Sequence, residues 1–99
     1  MMVTRIIRES ISRETFENPV YIRLPYRGKV DSCLFKRHAS IIYGELGCVE
    51  HCDFEGDVSI KTFEETLENP DDRTFETNIY RGRLNIAGPF TVKNNMRIR

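Results

Sequence analysis

A chain of 99 residues, 39% of them hydrophobic, has material for one hydrophobic core and excludes a multidomain protein. Four prolines and six glycines are too few for wholesale disorder, and no stretch reaches the roughly 20 apolar residues of a membrane-spanning helix. A formal net charge of zero and a pI near 6.7 lie far from the basic footprint of dedicated nucleic-acid binders.

The zero sum conceals a segregation. Residues 1–40 carry eight Lys or Arg against four Asp or Glu, residues 45–76 carry two against eleven, and residues 77–99 carry five and no acid. The favoured reading is that the acidic middle folds against the two basic ends. The alternative is a dipolar surface with a basic face for an acidic partner. The start, Met1 to Arg8, meets charge before any apolar run is long enough for a secretory signal. Three cysteines, an odd number, cannot all pair within one chain. These features predict a soluble cytoplasmic protein of a reducing compartment, with no membrane contact.

In chain order, residues 4–14 put Ile7 and Ile11 one helical turn apart behind Thr4 as a cap, which predicts a short helix ended by Asn18-Pro19. Val20, Ile22 and Leu24 alternate with Tyr21 and Arg23 as a strand over 20–24, closed by Pro25 and a turn at Arg27-Gly28. Strands are expected over 30–36 and 41–46. Residues 47–57 read as an acidic loop, in which Asp53, Glu55 and Asp57 lack the glycine placement and distal Glu of a calcium loop. Residues 58–61 read as a strand. Thr62 and Glu65 match a capping box, opening a second short helix that Asn69-Pro70 stops. The end reads as a meander of strands over 74–80, 83–87, 89–93 and 96–98. Arg81-Gly82 and Asn94-Asn95 supply its hairpin turns, which sets Phe90 and Val92 near Met96 and Ile98. The expected fold is α+β over a single domain, 1–99: a mostly antiparallel sheet of about five to seven strands with one or two short helices. Tyr26-Arg27-Gly28-Lys29 resembles Tyr80-Arg81-Gly82-Arg83, and Phe16-Glu17-Asn18-Pro19 resembles Leu67-Glu68-Asn69-Pro70. A decayed duplication of about 15–44 in 66–98 would explain both matches.

Four kinds of site compete. All the cysteines and both histidines fall between positions 33 and 52, so Cys33, His38, Cys48, His51 and Cys52 are candidate zinc ligands, although their spacing fits no standard finger. A nucleophilic site from Cys48 or Cys52, His38 or His51, and Asp53 or Glu50 lacks any surrounding signature, and no phosphate-binding or hydrolase motif occurs, so no enzyme is expected. Tyr26, Arg27, Lys29, Tyr80, Arg81 and Arg83, with Arg97 and Arg99, put aromatic rings beside cations at turn tips, a chemistry that suits single-stranded nucleic acid. Tyr and Arg are also the residues enriched at protein hot spots, and a strand edge pairs readily with another chain. The expected function is therefore a small non-catalytic binding module with a protein partner or a second copy of itself, without a cofactor. Nucleic-acid binding and a zinc-stabilised domain are the alternatives.

Overall fold

The computed structural model describes residues 5–62 and 73–98. The expected antiparallel α+β sheet is not what forms. The chain is all-β, its strands pair in parallel throughout, and no helix occurs among the described residues. It winds as a β-solenoid of about four turns with three faces. Each rung gives one short strand to each face. The first rung supplies β1 (Arg5–Ile7), β2 (Ile11–Ser12) and β3 (Thr15–Phe16). The second supplies β4 (Val20–Arg23), β5 (Lys29–Asp31) and β6 (Leu34–Phe35). The third supplies β7 (Ala39–Tyr43), β8 (Cys48–Glu50) and β9 (Asp53–Phe54). The fourth supplies β10 (Val58–Thr62), β11 (Thr74–Glu76) and β12 (Ile79–Tyr80). The last supplies β13 (Leu84–Ala87), β14 (Thr91–Lys93) and β15 (Met96–Arg97). Sheet A runs β1-β4-β7-β10-β13, sheet B β2-β5-β8-β11-β14, and sheet C β3-β6-β9-β12-β15.

The register makes the periodicity visible. Val20 pairs with Ala39 and Ala39 with Val58, a step of 19 residues each time. The step from Arg5 to Val20 is 15, and that from Val58 to Leu84 is 26, the longer one spanning residues 63–72. Stacking at this period puts like side chains on top of one another. Ile7, Ile22, Ile41, Ile60 and Ile86 form one column, and Ile11, Val30, Val49, Phe75 and Val92 another. Phe16, Phe35 and Phe54 form a third, with ring centroids 4.9 and 4.8 Å apart and planes within 8°. That spacing equals the distance between hydrogen-bonded strands, so the rings stack offset in a geometry that adds to simple burial.

Corners turn each rung from face to face. At the corner from sheet B to sheet C, Arg13, Ser32, His51, Thr77 and Asn94 all adopt positive φ, between 53° and 57°. In the first four of these the N–H group is tied to the next rung: Ser32 N donates to the Glu50 carbonyl at 3.1 Å, and His51 N to that of Thr77 at 3.1 Å. One residue further on, Cys33, Cys52, Asn78 and Asn95 form a polar column. Asn78 Nδ2 donates to the Val49 carbonyl (3.1 Å), and its Oδ1 accepts from Cys52 N (2.9 Å). Asn95 repeats both bonds one rung on, to the Phe75 carbonyl and from Asn78 N. Cys52 Sγ contacts the equivalent carbonyl, that of Val30, at 3.8 Å. This column satisfies corner groups that burial would otherwise leave unpaired.

Several expectations are corrected by this architecture. The expected helix over 4–14 begins on a residue outside the described ones, and from residue 5 on the chain instead forms β1 and β2 joined by a bend. The segments 30–36 and 74–80 are each two strands on different faces, broken at Ser32 and Thr77. The acidic loop 47–57 contains β8 and β9. Asn94 does take positive φ, but it makes a corner rather than a hairpin, so β14 and β15 belong to different sheets. The second helix, with its capping box at Thr62 and Glu65, falls almost wholly on residues outside the described ones, and Thr62 itself ends β10.

Candidate functional site

The two Tyr-Arg-Gly sequences occupy different corners. Residues 25–28 close a β-turn, with Gly28 N donating to the Pro25 carbonyl at 2.8 Å and Arg27 at φ 58°. Such a turn needs positive φ at its third position and lifts the second, Tyr26, to the tip. Tyr26 is 60% exposed, and the Arg27 guanidinium lies 5.3 Å from its ring centroid. The turn below repeats the geometry, with Gly47 N on the Gly44 carbonyl and Leu46 at φ 62°. Gly44 is fixed by close backbone approach, since a Cβ there would come within 2.7 Å of the Leu24 carbonyl oxygen.

This corner borders a groove of about 480 Å³ lined by Arg8, Arg23, Leu24, Pro25, Tyr26 and Gly44. Ile7 pairs with Ile22, so Arg8 and Arg23, which follow them, stand on adjacent rungs. Sequence reasoning missed both arginines because they lie 15 positions apart and come together only through the winding of the chain. Lys29, expected with this set, is engaged elsewhere by an ion pair to Glu50 at 2.5 Å, which raises its pKa. Tyr80, Arg81 and Arg83 lie at the corner from sheet C to sheet A. Arg81 pairs with Asp53 at 2.5 Å, and Arg83 N donates to Asp57 Oδ1 at 2.9 Å. Gly82 serves stacking, because a Cβ would collide with Asp57 Oδ1 and lie 2.9 Å from Gly56. Arg97 is exposed on β15, and Arg99 lies outside the described residues.

The Cys/His set is distributed over three environments. Cys33 and Cys52 are buried in the polar corner column. The side-chain interaction between these neighbouring thiols lowers the Cys33 thiol pKa and raises that of Cys52. Cys48 is half-buried on the outer side of sheet B, where burial pushes its thiol pKa up. His51 sits at the exposed corner with Nδ1 3.5 Å from Asp31, and His38 is exposed at the corner leading into β7. The ligand atoms that do converge, within 4.8 Å of one another, combine these groups with carboxylates: Asp31, Glu50 and His51 in one set, Cys48, Glu50 and Glu76 in the other. Both belong to an acidic ladder on sheet B flanked by Lys29 and Lys93, which pair with Glu50 and Glu76.

The two ends of the solenoid differ. The inward column heads of the first rung, Ile7, Ile11 and Phe16, are at most 9% exposed. At the other end of these columns Ile86 is 43% and Val92 41% exposed, and the Phe16 column ends in the exposed Arg97; Met96, 62% exposed, continues the outward column that begins at Thr15. One rung earlier in the same columns, Ile60 and Phe75 are buried, at 1% and 0%. The edges of β13, β14 and β15 form this C-terminal end.

Compared with known protein families, curated proteins and solved structures, the chain shows no significant match.

Proposed function

We propose that this chain is a non-catalytic binding module that takes a protein partner end-on, at the C-terminal edges of β13, β14 and β15. The observation that carries the reading is the jump in exposure along the Ile60–Ile86 and Phe75–Val92 columns. Three strands at one end have no further strand beside them among the described residues, and Ile86 and Val92 stand exposed there, a template for strand addition. The partner's chemistry follows from charge. Arg81 and Lys93 are taken up by Asp53 and Glu76, which leaves Arg97 on β15 as the exposed cation of the end, so the complementary edge is apolar with an acidic group facing Arg97. Charge also favours a different chain over a second copy. Two C-terminal ends would bring like charges together, and the first rung's apolar column heads are already covered.

The test is capture from source cells with the intact protein and with Val92→Lys, followed by reconstitution with the purified partner. The expected result is a partner with an acidic strand edge, bound by the intact protein, lost with Val92→Lys, and weakened by salt. A monodisperse dimer in sedimentation that Val92→Lys dissociates would overturn the assignment to a different chain. Unchanged capture by a folded Val92→Lys protein would overturn the end-on site itself.

A further inference from the structure

We propose that Cys33 and Cys52 are a modification site, where a peroxide closes a disulfide that staples the second rung to the third. The site lies in the corner column away from the C-terminal edges, and it does not depend on the end-on reading. Asp31 pairs with Glu50 and Leu34 with Asp53, so Cys33 stands beside Cys52 on the adjoining rung. Neighbouring strands lie about 4.8 Å apart, inside the roughly 4.4–6.8 Å that a disulfide spans between Cα atoms. Asp53 N donates to the Cys33 carbonyl at 2.9 Å, which holds the two rungs together at this point. The Cys52 side chain also leans toward its neighbour: its Sγ lies 3.8 Å from the Val30 carbonyl, a group of the second rung. Both thiols are free and buried. They donate to main-chain carbonyls, Cys33 Sγ to Asp31 at 3.4 Å and Cys52 Sγ to Glu50 at 3.3 Å, and because a thiol is a weak donor little is lost when these protons leave.

The winding, not the sequence, selects this pair. Cys52 is four positions from Cys48 and nineteen from Cys33, yet Cys48 is half-buried on the outer side of sheet B while Cys52 is buried in the column. The column lies one residue in from the exposed corner residues Ser32 and His51, a depth that hydrogen peroxide, little larger than water, reaches more readily than an alkylating reagent. The interaction with Cys52 holds the Cys33 thiol below its ordinary range, which makes Cys33 the attacking sulfur. Its thiolate attacks one peroxide oxygen and the O–O bond breaks, leaving a sulfenic acid on Cys33 and a hydroxide that takes up the Cys33 proton as water. The Cys52 sulfur then attacks Cys33 Sγ and the S–O bond breaks. The hydroxide that leaves takes the Cys52 proton as a second water. The two thiols give up two electrons and the peroxide accepts them, and a dithiol reductant reverses the link by exchange.

The experiment treats the reduced full chain with hydrogen peroxide in native buffer and, separately, in urea. Remaining thiols are then blocked with iodoacetamide in denaturant, and the protein is digested and mapped without reduction. Cleavage after Lys36 or Arg37 and after Glu50 separates the three cysteines. The expected native product is a Cys33–Cys52 link with Cys48 outside it. Its urea midpoint should lie above that of the reduced protein, because the link restricts the unfolded chain, and should fall back with dithiothreitol. In urea the winding is gone and the pair nearest in sequence, Cys48–Cys52, should predominate. Cys33 and Cys52 left unlinked in native buffer after Cys48 has oxidised, a native link through Cys48, the same links in both buffers, or a linked protein that unfolds at lower urea than the reduced one would each overturn the proposal.

Discussion

Single residues in this chain acquire their chemistry from the face they are wound onto. The three cysteines, close in sequence, show this most directly. Cys33 and Cys52 occupy the column that Asn78 and Asn95 continue, with Cys33 Sγ 3.4 Å from the Asp31 carbonyl and Cys52 Sγ 3.3 Å from that of Glu50. A thiol is a weak donor, so it can stand in for the asparagine amide toward a carbonyl but cannot also accept the next N–H as Asn78 does. Cys48 faces outward. The expected outcome of iodoacetamide labelling is therefore one reactive thiol, Cys48, in the native protein, and two more only in denaturant. Burial raises the Cys48 thiol above its ordinary range, so less thiolate is present at any given pH. Its labelling rate should be lower than that of a free peptide thiol at neutral pH and should climb as pH rises beyond the usual thiol value. Peptide mapping after labelling at several pH values checks both points, and rapid modification of Cys33 in the folded protein would contradict the packing described.

At the scale of elements, the corner is the unit that matters. Five residues at positive φ recur at the turn from sheet B to sheet C, and only His51 and Asn94 are of types enriched in this region. Thr77, β-branched, is the least suited, yet its N–H is satisfied by the Lys93 carbonyl at 3.1 Å, and the register around it is fixed by the Asn78 bonds. The conformation is imposed by the stack rather than chosen by the residue. Thr77→Asn should therefore stabilise the fold, by on the order of 1 kcal/mol, which is the local cost of the left-handed region for an ordinary residue. Urea denaturation of the two proteins checks it, and a loss of stability would mean that the Thr77 side chain makes a contribution of its own.

At the scale of the whole molecule, stability is passed from rung to rung. A rung touches only its neighbours, so interior rungs are supported from both sides and end rungs from one. Phe35, fully buried between Phe16 and Phe54, is the test position. Phe35→Ala should cost about 3–5 kcal/mol, the usual effect of emptying a closed aromatic site. Phe16→Ala, in the first rung, should cost less, because a gap at the end of the stack can relax or fill with water. Equilibrium unfolding of both variants checks the ranking, and equal losses would show that the first rung is as firmly enclosed as the interior. The charge pattern also resolves at this scale. Lys29–Glu50 and Arg81–Asp53 join neighbouring rungs, and Lys93–Glu76 joins the last rung to the fourth, so basic and acidic segments neutralise one another along the stack.

The sequence by itself marked several strands and one change of direction, but not the strands within 5–12 and 48–54 nor the breaks at Ser32 and Thr77. Val20, Ile22 and Leu24 announce β4, residues 58–61 announce β10, and the tolerance of Asn94 for positive φ announces a change of direction. Period-two alternation and turn chemistry are local properties, so they survive whatever the strand pairs with. What only the tertiary structure decided is the partner of each strand. A residue at positive φ makes a hairpin if the chain reverses and a corner if it bends onto the next face, and the local signal is the same in both cases. The steps of 15, 19, 19 and 26 residues are uneven, and the similarity along each column is one of size and polarity rather than identity, so the stacking is not legible as a repeat. The same winding scattered the Cys/His set and placed the two Tyr-Arg-Gly turns at different corners. It also brought Arg8 to Arg23, a proximity that belongs to the pitch of the solenoid and to no stretch of the chain.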